Sequence, residues 1–255
     1  TITRSLCSWR MWGVNPVILA SDTLRLGADG NFELPVDLKP DTSGSDLDGG
    51  DGTSSYYDYK VQVSVTNVAG ETQTSEISLR AGKTSLLLFA DINGLICKDD
   101  SIKATFQVNN LERKPVAVEG SYQLFSISGY EESKAVKDQK VSAQAILSGS
   151  FRSNEETLLS DWKTLPSGAY KLVASVTDAQ GRKSETEKVV ILFALNDKRP
   201  PVSMPLWYYE VNTRFDAEHP ALFYFGTSEK DAYVLMDVFS GNKHLESKLL
   251  HLSDS

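Results

Sequence analysis

Tyr59-Lys60-Val61-Gln62-Val63-Ser64-Val65-Thr66-Asn67-Val68-Ala69-Gly70 returns 111 residues later as Tyr170-Lys171-Leu172-Val173-Ala174-Ser175-Val176-Thr177-Asp178-Ala179-Gln180-Gly181. Each copy alternates apolar with mostly polar residues and then breaks at Asn or Asp, with Gly three residues on. A strand sends successive side chains to opposite faces, so Tyr59/Tyr170, Val61/Leu172, Val63/Ala174 and Val65/Val176 share one face, with Lys and Ser on the other. A second strand is expected after each turn, over residues 71–79 and 182–192, which makes each copy a hairpin. A period of this length is too long for a solenoid unit and fits a whole small β-domain. The chain therefore reads as a string of modules.

Working outward from the two hairpins, residues 1–82 are expected to form a β-sandwich truncated at its N-terminal side, residues 83–199 a complete one, and residues 200–255 a linker with the opening strands of a third, also truncated. In the first module, residues 1–12 alternate loosely, a strand is expected at 23–26, and Asp29-Gly30 marks a turn before Phe32. Residues 40–55, rich in Asp, Gly and Ser, read as a long loop. In the second module, strands are expected at 85–90, 101–108 and 122–127, an apolar pattern resumes at 141–151, and a short helix or loop surrounds Trp162. Asp197-Lys198-Arg199-Pro200-Pro201 is the clearest linker, because two prolines cannot continue a sheet and stiffen the connection. Further strands are expected at 207–215, 221–225, 232–239 and 244–250. Thr1-Ile2-Thr3-Arg4 reads as strand, not as a signal peptide, so the chain is expected to be a piece of a longer protein.

With 255 residues, 40% hydrophobic and 24% charged, the composition is that of a globular protein. The net charge of −8 and the lack of a Lys/Arg cluster argue against nucleic acid as a partner. The longest apolar runs, 86–90 and 189–195, are strand-length and far short of a bilayer span, so no membrane contact by this chain is expected. Cys7 and Cys97 fall in different modules and are expected as isolated thiols.

No catalytic, cofactor-binding or metal-ligating residue is assigned. Gly82-Lys83-Thr84 has the end of a phosphate-binding loop, but that loop needs a glycine at position 77, which is Ile77, and a helix after the threonine. Asp46, Asp48 and Asp51 crowd carboxylates as a calcium loop would, yet the third is out of register and no Glu closes the site. His219, His244 and His251 fit neither a His-Glu-x-x-His motif nor a nucleophile elbow, and are expected at the surface. Trp162 and Tyr170, flanking Leu165-Pro166-Ser167-Gly168, are expected as core and corner aromatics.

Leu165-Pro166-Ser167-Gly168-Ala169-Tyr170, followed by Val176-Thr177-Asp178-Ala179-Gln180-Gly181-Arg182, resembles the macroglobulin-like domains of bacterial alpha-2-macroglobulins. Tyr59 to Thr72 carries the same signature, and Phe215-Asp216-Ala217-Glu218-His219-Pro220-Ala221 through Val234 is similar to the start of a further domain in those chains. The resemblance implies tandem seven-stranded sandwiches of immunoglobulin or fibronectin III type. It also implies a parent in the periplasm or at the cell surface, membrane-anchored, that entraps attacking endoproteases. The partners it implies are neighbouring domains and, through the parent, target proteases. Family members that bond covalently to the protease use a Cys-x-Glu-Gln thioester. Here Cys7 is followed by Ser8-Trp9-Arg10 and Cys97 by Lys98-Asp99-Asp100, so no active residue carries over and the chain is expected to be non-catalytic framework. The alternative is an adhesive or carbohydrate-binding spacer, with Trp9, Trp12 and Trp207-Tyr208-Tyr209 as its candidate platform.

Overall fold

Both copies of the repeat fold as long antiparallel hairpins. The structure is a computed structural model that describes residues 1–7, 17–23, 25, 26, 30, 56–211, 216 and 218–252, apart from the side chains of Leu6 and Cys7. The described residues are all-β, with two short 3-10 turns. Trp9, Trp12, Asp29 of the expected Asp29-Gly30 turn and the Asp-rich stretch 40–55 lie outside them.

Strands β1 (Ile2–Cys7) and β2 (Val17–Ala20) join the first repeat hairpin, β3 (Tyr56–Thr66) and β4 (Thr72–Gly82), in one antiparallel sheet of order β2-β1-β3-β4. The strand expected at 23–26 forms instead at β2, where Val17-Ile18-Leu19 concentrates β-branched and apolar residues suited to a pleated surface. On β3 the shared apolar face is buried at Tyr59 and Val61, yet Val65 is 43% exposed. Strand β1 accompanies β3 only as far as Val61, and among the described residues no second sheet covers the hairpin beyond it.

The second copy is fully enclosed. Residues 86–193 form β5 (Leu86–Asp91), β6 (Leu95–Cys97), β7 (Lys103–Asn110), β8 (Glu119–Ser126), β9 (Leu147–Arg152), β10 (Glu156–Leu158), β11 (Gly168–Thr177) and β12 (Lys183–Phe193). Sheet β10-β7-β5 lies over sheet β6-β12-β11-β8-β9. One core joins them: Leu86, Leu88, Phe106 and Val108 from the first meet Tyr122, Leu124, Leu172, Ala174, Val176, Val190 and Leu192 from the second. Trp162, in the 3-10 turn Ser160–Thr164, is fully buried there, as are Phe106 and Leu172. Each such side chain stabilises the fold by about 1.5–3 kcal/mol through apolar burial.

Strand β6 escapes sequence reading because three apolar residues after Asn93-Gly94 look like loop. It pairs parallel to β12, Ile96 beside Leu192, through Ile191 N–H to Gly94 O and Lys98 N–H to Phe193 O, both 2.7 Å. The apolar pattern expected from 141 becomes strand only at Leu147. Before that, the Ser142 hydroxyl accepts from Ser126 N–H and donates to Gln144 O, which holds the segment as a loop.

Beyond the sandwich, β13 (Trp207–Glu210) pairs with β14 (Phe223–Gly226), and β15 (Ala232–Ser240) with β16 (Lys243–Leu252). The β15–β16 ribbon exposes Tyr233, Leu235 and Leu249 by about two thirds each (65%, 64% and 66%).

Inside the sandwich, a line of rings runs Phe151, Phe106, Tyr122, Trp162, with centroids 4.0, 5.8 and 6.1 Å apart. Two glycines sit opposite these rings across the β8–β9 pair: Gly120 faces Phe151, and Gly149 faces Tyr122. A Cβ on Gly149 would lie 2.5 Å from the Tyr122 ring, whereas one on Gly94 would meet nothing within 4 Å. Gly149→Ala is expected to destabilise the sandwich by about 1–3 kcal/mol through overpacking, and Gly94→Ala to be nearly neutral. Urea melts of the two variants check this, and equal stabilities would mean that the Tyr122 ring does not rest on Gly149.

Candidate functional site

The residues that reach furthest beyond their own strands stand at one pole of the central sandwich. Two turns meet there, 110–114 between β7 and β8 and 178–182 between β11 and β12, beside the three-residue linker that separates β4 from β5. Both turns share their hydrogen-bond scheme with the Asn67 turn of the first hairpin. Asn67, Asn110 and Asp178 each accept at Oδ1 the backbone N–H groups two and four residues on, at 2.9–3.0 Å. Their own N–H bonds the carbonyl four residues ahead, and their own carbonyl accepts from the third. Such side-chain mimicry of a backbone turn is why Asn and Asp recur at these positions.

The fourth residue of each turn is left-handed: Gly70 at φ 85°, Arg113 at φ 65° and Gly181 at φ 78°. Glycine adopts this region freely, whereas for a residue with a Cβ it costs roughly 1–2 kcal/mol. Sequence reading finds the Asn67 and Asp178 turns by their glycines and misses the Asn110 turn, whose signal is hidden by Arg113.

The second oxygen of Asp178 reaches out of its own hairpin. Oδ2 accepts Ser85 N–H at 3.1 Å, the Ser85 hydroxyl at 3.0 Å and Arg182 Nε at 2.9 Å. The Asp178 side chain is only 1% exposed. Burial alone would raise its pKa, but the hydrogen bonds donated by Arg182 and Ser85 outweigh it and hold the carboxyl well below the usual carboxylate range. Asn67, at the equivalent place, has an amide there instead, and its Nδ2 donates to Glu71 Oε2 at 2.8 Å. The carboxylate turn grips a neighbour, and the amide turn closes on itself.

The Asn110 turn supplies the other grip. Arg113 Nε and Nη2 donate to the Tyr56 hydroxyl at 3.3 and 2.9 Å, and Arg80 Nη1 donates to Leu111 O at 3.1 Å. The Arg80 guanidinium also lies over the Tyr56 ring, 5.9 Å from its centroid. Gly82-Lys83-Thr84 thus sits between these grips, with no helix after it: Gly82 ends β4, and the Thr84 hydroxyl donates to Leu86 O at 2.7 Å as β5 begins.

At the far side of the sandwich, Phe193 is fully buried and meets Trp207 and Tyr209 edge to face, with centroids 5.1 and 4.6 Å away. Of the candidate platform Trp207-Tyr208-Tyr209, two rings therefore pack inward and Tyr208 alone points out, 65% exposed. Asp99 Oδ2 accepts Leu195 N–H at 2.8 Å, so the chain leaving β12 is also held, and the neighbouring Lys98 ammonium donates to Leu165 O, ahead of β11, at 2.9 Å. An open cleft of about 650 Å³ beside this contact is lined largely by Leu95, Ile191, Val202, Met204 and the aromatic strand.

All three histidines lie at the surface, each beside an aspartate: His219 with Asp216, His251 with Asp231, and His244 with Asp237. His244 adds Ser247, which makes a Ser-His-Asp trio. Its geometry is not that of a nucleophilic triad. The Ser247 hydroxyl donates to Asp237, and both Ser247 and Asp237 meet the same ring nitrogen, Nε2, so the carboxylate does not hold Nδ1. Among the described residues, no group of three His, Cys, Asp or Glu side chains is placed to hold a metal ion. Cys97 is a buried free thiol whose pKa burial pushes up.

No protein-family model matches the sequence, and no curated protein gives a significant match.

Asp178→Asn is expected to keep the turn, as Asn67 does, and to lose the acceptor for Ser85. At neutral pH the variant melts below wild type. A carboxyl depressed in the folded state stabilises above its unfolded pKa and loses that contribution as pH falls, so the gap narrows below about pH 4. Thermal melts from pH 7 to pH 2.5 check this, and a gap constant with pH would rule out an ionised Asp178 as its source.

Proposed function

We propose that the chain is a non-catalytic array of immunoglobulin- or fibronectin III-like sandwiches, divided near residues 1–82, 83–199 and 200–255. The array is framework of a bacterial alpha-2-macroglobulin-like protease inhibitor in the periplasm or at the cell surface. The sandwich type is supported by the strand order, by the three-residue strand running parallel to the last one, and by Tyr170. The Tyr170 hydroxyl donates to Pro166 O, four residues upstream, at 2.6 Å, which is the tyrosine corner of such domains. The family assignment rests on the sequence motifs around Tyr59 and Tyr170.

The observation that carries the framework reading is the pole of the central sandwich. Its two turns are used to hold the preceding sheet through Asp178, Arg113 and Leu111, so the loops that a binding module would offer to a ligand are already engaged. A chain built this way transmits orientation from one module to the next. In an entrapping inhibitor that is the part framework domains play: cleavage elsewhere in the parent releases a rearrangement, and stiff junctions carry it. The carbohydrate-binding alternative retains Tyr208 as its exposed ring from the platform.

The test uses the parent protein that carries this chain, incubated with several endoproteases. Activity is then compared on a large protein substrate and on a small chromogenic peptide. Selective loss against the large substrate, with limited cleavage of the parent, is the expected result. Equal activity against both substrates would exclude protease entrapment.

A further inference from the structure

We infer that Arg113 is a latch that fixes the angle between the first sheet and the central sandwich. The latch does not depend on the protease reading, since it follows from the geometry of this chain alone. Three turns share one backbone scheme, and in two of them the left-handed fourth position is glycine. The turn that departs from glycine is the one whose fourth side chain crosses to the other sheet. Arg113 accepts an unfavourable backbone conformation and, from it, directs its guanidinium at the Tyr56 hydroxyl with two N–H groups. Where the turn grips no other sheet among the described residues, the position is Gly70, and Val68 in the same turn is fully exposed.

The target is placed to be gripped. Tyr56 opens β3 opposite Gly82, the last residue of β4, so it stands at the end of the sheet that faces the linker. Its ring is 4% exposed, covered on one side by Arg80, which also bonds the same turn at Leu111 O. The groups around the contact are Arg80, Asp58 and Arg113 on the two partners, with Asp58 3.8 Å from Arg80 Nε. Asp178 holds the linker at Ser85, on the second turn of the same pole. The linker is anchored at Ser85 and Arg80 adds a bond to Leu111 O, and the Arg113–Tyr56 contact, away from the Ser85 anchor, removes the rotation that these two leave. Asp178 is thus the hinge pin and Arg113 the stop.

The test measures orientation and stability separately. Labels placed by genetic encoding at Ser75 on β4 and Ser148 on β9, both exposed, leave Cys97 untouched and report the distance between sheet and sandwich by pulsed dipolar spectroscopy. The native chain is expected to give a single narrow distance peak. Arg113→Gly, which relieves the backbone and removes the latch, is expected to lose that single peak while the melting temperature stays level or rises. Tyr56→Phe removes only the hydroxyl and leaves the turn as it is, and it is expected to lose the peak as well. A peak that stays narrow in both variants would overturn the latch. So would an Arg113→Gly variant that melts lower with its distances unchanged, since that outcome assigns Arg113 to the turn's own stability.

Discussion

Asp178 accepts five hydrogen bonds, two at Oδ1 from its own turn and three at Oδ2 from Ser85 and Arg182. With a side chain almost wholly buried, a carboxylate survives as an anion only when its lone pairs are met in this way. That single requirement ties a hairpin turn of the sandwich to the last residue of the linker from the preceding sheet. An amide in its place, as at Asn67, can serve the turn but turns a donor toward the linker. The difference between an acid and its amide therefore separates a turn that joins two sheets from one that ends a hairpin.

Around that joint, burial follows the presence of a second sheet. The same alternating strand is dry along its length in β11 and only as far as Val61 in β3, although the two sequences are nearly interchangeable. Propensity makes both hairpins; β3–β4 carries a small cluster around Tyr57 and Tyr59, whereas β11–β12 shares the core between two sheets. The C-terminal ribbon shows the same dependence: β15 and β16 pair along their length, with one register shift between Val238 and Phe239, while Leu235 and Leu249 remain in water.

The hairpins, their turns and most strands of the central sandwich are legible in the sequence because period-two alternation and an Asn/Asp…Gly break are strong local signals. Tyr170 is legible as a corner aromatic because it follows Pro166 and Gly168. Strand β6 is not, since three residues carry no period and its partner is about a hundred positions away. Nor is the pole. The Asn110 turn opens, like the other two, on an Asn or Asp, but an arginine at its left-handed position reads as an ordinary charged loop. The pairing of Arg113 with Tyr56 is a contact between distant segments that no local pattern encodes. Trp207 and Tyr209 are platform candidates only under the carbohydrate-binding alternative, against a general preference of aromatics for core packing, and here they pack on Phe193.

The short parallel pairing of β6 with β12 has a mechanical meaning. The chain enters the sandwich at the strand just before β6 and leaves it from the end of β12. A pull between the two ends of the sandwich loads β5 against β7 first, and then draws β6 and β12 past each other, lengthwise. The bonds from Ile191 to Gly94 and from Lys98 to Phe193 are then loaded together in shear, and they must fail together instead of unzipping in turn. The central sandwich is thereby clamped by a few hydrogen bonds where β6 and β12 run side by side.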